Sequence, residues 1–143
     1  MDPKRLLLGF VAGFLAVLTV HQLVVAILWS LGAIPFPPYS FAPRAPFGVP
    51  AILSLAFWGG VWGVVIAAVA DRRPDWNPVL VGLVIGAVFC VLVGWTVVAA
   101  LRGQPMMAGW NLARWWPSIL INGAFGAAAG LFYALLARRR TRA

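Results

Sequence analysis

The sequence predicts an all-α membrane protein with four transmembrane helices, built as a tandem duplication of a two-helix hairpin. Three observations carry this prediction. Hydrophobic residues make up 63% of the 143 residues and charged residues only 10%, against about 25% charged in a typical soluble domain. Four segments, 6–31, 51–70, 78–101 and 117–137, contain no Asp, Glu, Lys or Arg, and each reaches the roughly 20 residues needed to cross a hydrocarbon core about 30 Å thick. Finally, the second pair of segments echoes the first in the order and spacing of its Gly, Pro and Arg residues. The whole chain, 1–143, reads as a single membrane domain.

The first span follows Lys4 and Arg5. Its apolar stretch is too long for the core of a secretory leader and no small-residue cleavage site follows, so it is expected to remain as a span. The connection 34–50 carries Pro35, Pro37, Pro38, Pro43, Pro46 and Pro50 among Phe36, Tyr39, Phe41 and Phe47. Proline fixes φ and lacks an N–H, so this segment cannot be helical or a central strand and is expected to be stiff and extended. It reads as a cap, a partner-binding segment or a gate. The second span starts after Pro50, where a missing N–H costs nothing at a helix start, and ends before Arg72 and Arg73. The third holds Cys90, and the fourth opens with Pro117. Uniformly apolar segments lack the alternation of a barrel strand, so helices satisfy the backbone in lipid.

Basic residues orient the spans. Lys4, Arg5, Arg72, Arg73, Arg138, Arg139, Arg140 and Arg142 fall on one side, and Arg44, Arg102 and Arg114 on the other. The positive-inside rule places the first group, and both termini, in the cytoplasm. Trp29, Trp110, Trp115 and Trp116 then gather at the opposite interface, where indoles are favoured.

The duplication is read by sliding the sequence on itself. A shift of 73 superposes Leu7, Gly9, Val11 and Gly13 on Leu80, Gly82, Val84 and Gly86; a shift of 67 superposes Pro50, Gly59, Gly63, Arg72 and Arg73 on Pro117, Gly126, Gly130, Arg139 and Arg140. Repeat units of about 6–73 and 79–140 follow, related by a pseudo-twofold axis along the membrane normal, as in parallel-repeat transporters. Every span carries one G-x-x-x-G pair: Gly9/Gly13, Gly59/Gly63, Gly82/Gly86 and Gly126/Gly130. Because lipid offers no hydrophobic drive for helix association, these small residues are expected to pack the bundle through close backbone approach or to make oligomer contacts.

The formal charge of +8 does not make a nucleic-acid interface, since the basic residues flank apolar runs and form no patch with readout side chains. The lone Cys90 allows no internal disulfide. With one histidine and no carboxylate inside a span, neither a catalytic centre nor a metal site is expected, and no cofactor is called for. The intramembrane polar candidates are His21, Gln22 and Asn122. A polar residue at that depth faces the bundle or a cavity, as a hydrogen-bonded structural group or as a ligand- or proton-handling one. A shift of 73 sets Gly94 opposite His21, so the imidazole is expected to enter the space at Gly94 with Trp95, Thr96 or Asn122 as partner. Arg44 and Arg114 each precede a returning helix, either snorkelling to headgroups or forming a pair that binds lipid phosphate or a small anion.

The stretch RAPFGVPAILSLAFWGGVWG, residues 44–63, resembles small four-span inner-membrane proteins of proteobacteria, and the likeness runs over nearly the whole chain. That group has no named activity, and what the resemblance implies is a multi-pass location in a bacterial inner membrane. A small multidrug exporter would be expected to carry a Glu in its first span, where this chain has His21. The leading functional expectation is a non-enzymatic accessory, assembly or interaction subunit that meets the lipid bilayer and another membrane protein or itself. The alternative is a small dimeric transporter or channel, for an anion, with His21 in the path. A lipid-acting enzyme is the least supported.

Overall fold

The structure, a computed structural model, describes residues 2–45 and 47–140. Pro46 and Arg142 lie outside the described residues, as do the side chains of Arg138, Arg139 and Arg140. The architecture is all-helical: α1 is Pro3–Ser30, α2 Ala51–Arg72, α3 Pro78–Leu101 and α4 Trp115–Arg140, and each is long and apolar enough to cross a membrane. They fit a multi-pass membrane protein.

Helices α1 and α3 start alike. Asp2 accepts the Lys4 N–H at 2.9 Å ahead of Pro3, and Asn77 accepts the Val79 N–H at 2.9 Å ahead of Pro78. Each Asx-Pro pair satisfies an orphan donor and presets φ, a cap of about 1 kcal/mol. Asp2 therefore starts α1 three residues before the apolar stretch begins. Both helices widen into π turns, α1 over Val17–His21 and α3 over Ile85–Cys90 and Gly94–Val98. Such turns loosen the backbone ladder and are frequent at functional sites.

Helix α1 packs along α2 and α4, and α3 packs along α4, whereas α2 and α3 meet only near their connection. The α1–α2 contact is made by backbone. A Cβ on Gly9 would lie 2.6 Å from the Ala67 Cβ, and one on Gly13 or Gly63 would collide with the carbonyl of Gly59 or Gly9. Across α3–α4, Gly82 faces Gly126, Gly86 faces the Asn122 carbonyl and Gly130 faces the Pro78 carbonyl. Ala12, Ala16, Ala56, Ile66 and Ala67 are wholly buried between the helices, while larger apolar residues such as Leu7, Trp58, Leu80 and Phe89 point outward.

The connection 34–50 is folded rather than extended. β1, Pro43–Arg44, pairs antiparallel with β2, Val49–Pro50, and the Ala51 and Ile52 N–H groups donate to Ala42 and Ser40 carbonyls at 2.9 Å. Proline excluded helix and central strand, but its carbonyl still accepts, so a two-residue edge ladder remains open to it. In the α3–α4 connection, Met107, Ala108 and Trp110 hold positive φ. Trp115 fastens this turn, its Nε1–H donating to the Met107 carbonyl at 3.1 Å and its ring lying 5.0 Å from that of Trp95.

Candidate functional site: a cavity at the connection end

At the end of the bundle that carries the α1–α2 and α3–α4 connections, a cavity of about 280 Å³ opens between α1, α2, the folded connection and the end of α3. His21 and Gln22 form its inner wall, Ser40 and Arg44 come from the connection, Ser54 and Trp58 from α2, and Arg102 from the residue after α3.

Gln22 is the buried polar side chain of the core, at 4% exposure. Its Oε1 accepts the Tyr39 N–H at 2.6 Å, and its Nε2 lies 3.3 Å from His21 Nδ1. The Tyr39 hydroxyl in turn donates to the Leu18 carbonyl at 2.7 Å, within the π turn of α1. Tyr39 has a φ of 51°, a left-handed conformation that costs a non-glycine residue about 1–2 kcal/mol. Two hydrogen bonds to α1 offset that strain and pull the connection down over the helix end. The connection thereby becomes a wall of the cavity.

His21 does not occupy the space at Gly94. Its ring meets Gln22 and stands edge-on to Phe125, with ring centroids 6.4 Å apart, and a Cβ added at Gly94 would meet nothing within 4 Å. The three partners expected from the sequence are engaged elsewhere. Thr96 donates to the Leu92 carbonyl at 2.7 Å, Asn122 to the Ser118 carbonyl at 2.9 Å, and Trp95 lies tilted against Trp115. A mid-helix Thr or Asn can always turn back on its own i−4 carbonyl, and here that local bond wins. Asn122 makes no hydrogen bond to the His21–Gln22 pair among the described residues and is not part of the cavity wall.

The two arginines expected to act together are also separated. Arg44 lines the His21 cavity with Arg102, while Arg114 lines two other cavities, one beside Ile34, Phe36 and Pro117 and one beside Gly94, Trp95 and Gln104. Arg102 was missed as a site residue; its sequence signal is that it directly follows the last apolar residue of α3 on an end without acids. No Asp or Glu lines the cavity, and all three acids, Asp2, Asp71 and Asp75, belong to the opposite end.

A second polar cluster lies at that opposite end. Arg5 Nε donates to Asp71 Oδ2 at 2.8 Å and to the Tyr133 hydroxyl at 3.1 Å, and the Tyr133 hydroxyl donates to Asp71 Oδ1. It joins α1, α2 and α4, and sequence reading missed it because Tyr133 sits within an apolar run. Among the described residues no group of three or more His, Cys, Asp or Glu side chains is placed to hold a metal.

No protein-family model, curated protein or solved structure matches this chain.

Proposed function

We propose that the protein is a non-enzymatic subunit of a bacterial inner-membrane assembly, with both termini in the cytoplasm, that works by binding another membrane protein. The observation that carries this reading is the unequal closure of the bundle. The α1–α4 side is packed along its length, whereas α2 and α3 meet only near their connection, where a groove of about 830 Å³ runs along α3, lined by Trp76 of the connection, Leu80, Val81, Val84, Ile85 and Phe89 of α3 and Val69 of α2. The occupant proposed for it is an apolar transmembrane helix of a partner, whose side chains would fill the groove by van der Waals packing. The groove ends at Asp75 and Asn77, which gives the partner helix polar groups to meet at its terminus.

The duplication belongs to the same reading and has structural support. Glycines close the α1–α2 and α3–α4 contacts in the same manner, and Asx-Pro pairs start α1 and α3. Arg44 shares a cavity with His21 and Gln22, and Arg114 shares one with Gly94 and Trp95, the residues 73 positions on. A pseudo-twofold along the membrane normal would relate these pairs.

The test is gentle extraction of the tagged protein from its own membranes followed by native mass analysis. A stoichiometric membrane partner, lost when Val84→Trp fills the groove, is the expected result. Recovery of the protein alone or as a homo-oligomer overturns the reading.

One observation favours the alternative of a dimeric anion transporter or channel: the His21 cavity with its two arginines. Beneath it the protomer is closed by Ala16, Val17, Ala56 and Phe125, so any path must run between protomers. Anion flux in reconstituted vesicles that His21→Ala abolishes would support that alternative; unchanged flux removes His21 from it.

A further inference from the structure

We infer that the cavity at the connection end is a binding site for a phosphate group, held between Arg44 and Arg102 with the imidazole of His21 and the hydroxyls of Ser40 and Ser54 as neutral hydrogen-bonding groups. Three features of the cavity select this chemistry.

The first is uncompensated charge. Arg44 and Arg102 both line one cavity of about 280 Å³ with no carboxylate among its lining residues. The ion pair formed among the described residues is Arg5–Asp71, at the other end of the bundle. Both arginines are exposed, so neither is tied to a protein partner, and the planar N–H fork of arginine matches phosphate oxygens two at a time.

The second is the neutral wall behind the charge. Gln22 is already committed to Tyr39 and His21 through its Oε1 and Nε2, and that contact holds the Nδ1 side of the ring. His21 itself lines the cavity, and its other imidazole nitrogen has no hydrogen-bond partner among the described residues. With the Ser40 and Ser54 hydroxyls, the wall supplies groups that donate to phosphate oxygens without adding charge.

The third is depth and shape. Arg102 directly follows Leu101 at the end of α3 and Arg44 belongs to the connection that leads into α2, so in a bilayer spanned by these helices both would stand toward the headgroup level. The wall is mixed, polar at His21 and apolar at Phe36, Leu55 and Trp58, so a phosphate that carries an apolar substituent is accommodated as well as a free one. Because the connection is fastened to α1 through Tyr39, the site is built before the ligand arrives, and little ordering cost falls on binding.

The site stands whether or not the protein is a subunit of a larger assembly, and its test needs only the purified full-length chain. Inorganic phosphate is titrated by calorimetry into the protein in a maltoside micelle. In parallel, the protein in phosphatidylcholine nanodiscs is probed with increasing phosphatidylglycerol, and retained lipid is counted by native mass analysis. Binding in the first arm identifies a soluble phosphate, and binding in the second alone identifies a lipid headgroup. In either case Arg44→Gln and Arg102→Gln should each weaken binding about tenfold or more, the loss expected for one charge-assisted contact. Arg44→Lys should restore part of it, and Arg114→Gln should leave it unchanged. Helical content measured by circular dichroism shows that each variant is folded. No binding of either probe by the folded wild type, or equal losses in Arg114→Gln and Arg44→Gln, would overturn the site.

Discussion

Arg5 and Asp71, 66 residues apart in sequence, meet at 2.8 Å where α1 and α2 come together, and Tyr133 of α4 closes the contact from the third side. The Arg5 side chain is 44% exposed and that of Asp71 16%, so solvent screens the pair and its Coulombic share is about 1 kcal/mol or less. Tyr133 is different, at 2% exposure. Its hydroxyl would be left without its acceptor if Asp71 were removed, and a buried unsatisfied group costs about 1–3 kcal/mol. Asp71→Ala is therefore expected to destabilise more than Arg5→Gln, and adding Tyr133→Phe to Asp71→Ala should recover part of the loss. Unfolding midpoints in mixed micelles check the order, and equal effects of the two single variants would show that the hydroxyl contributes nothing.

Helical glycines differ in what a methyl would meet. At Gly13, Gly63, Gly82 and Gly86 an added Cβ collides with a backbone carbonyl of the neighbouring helix, so alanine must push two helices apart. At Gly94 it meets nothing, and the helix gains the intrinsic preference for Ala over Gly, up to about 1 kcal/mol. Gly13→Ala and Gly86→Ala should lower the unfolding midpoint, while Gly94→Ala leaves it unchanged or raises it. Loss of stability in Gly94→Ala comparable to that in Gly86→Ala would mean that Gly94 packs against something in the membrane.

Orientation can be read with a reporter that folds only in an oxidising compartment. Alkaline phosphatase fused after Gly103, in the α3–α4 connection, should be active, and the same fusion after Ala143 inactive, because disulfides persist outside the cytoplasm. The reverse pattern would place the Arg44 and Arg102 cavity on the cytoplasmic face.

The spans were legible because crossing a bilayer demands about 20 apolar residues, a constraint that needs no knowledge of neighbours. Boundaries were less so. The apolar reading starts the first helix at Leu6, whereas the Asp2 cap and Pro3 start it earlier, since capping depends on a polar side chain that a hydropathy count sets aside. His21 and Gln22 stood out as polar residues in lipid-length segments, and the structure gives them one cavity. Asn122 stood out for the same reason and is satisfied by its own helix. Arg102 and Tyr133 did not stand out: their partners lie dozens of residues away and depend on which helices touch, information that spacing within one span does not hold. Charge balance did hold part of it, because an end with three arginines and no acid leaves cations without protein partners.

The seat of the α1–α2 connection gives the last prediction. Tyr39 is held twice, through its N–H on Gln22 and through its hydroxyl on Leu18, and both acceptors belong to α1. Tyr39→Phe removes only the hydroxyl bond, at a cost of about 1 kcal/mol, and leaves the connection in place. Gln22→Leu removes the acceptor for the Tyr39 N–H and also frees His21 Nδ1 from its neighbour, so two polar groups lose partners at once. The connection should then lift from α1 while the helices, held by glycine contacts farther along the bundle, stay together. Hydrogen exchange separates these outcomes. In Gln22→Leu the amides from Tyr39 to Arg44 should exchange at least about tenfold faster, matching an opening made more than 1.4 kcal/mol easier, with protection in α2 and α4 unchanged. Uniformly faster exchange through α2 and α4 would instead assign Gln22 to the stability of the bundle, and unchanged exchange at Tyr39 would show that the prolines alone hold the connection down.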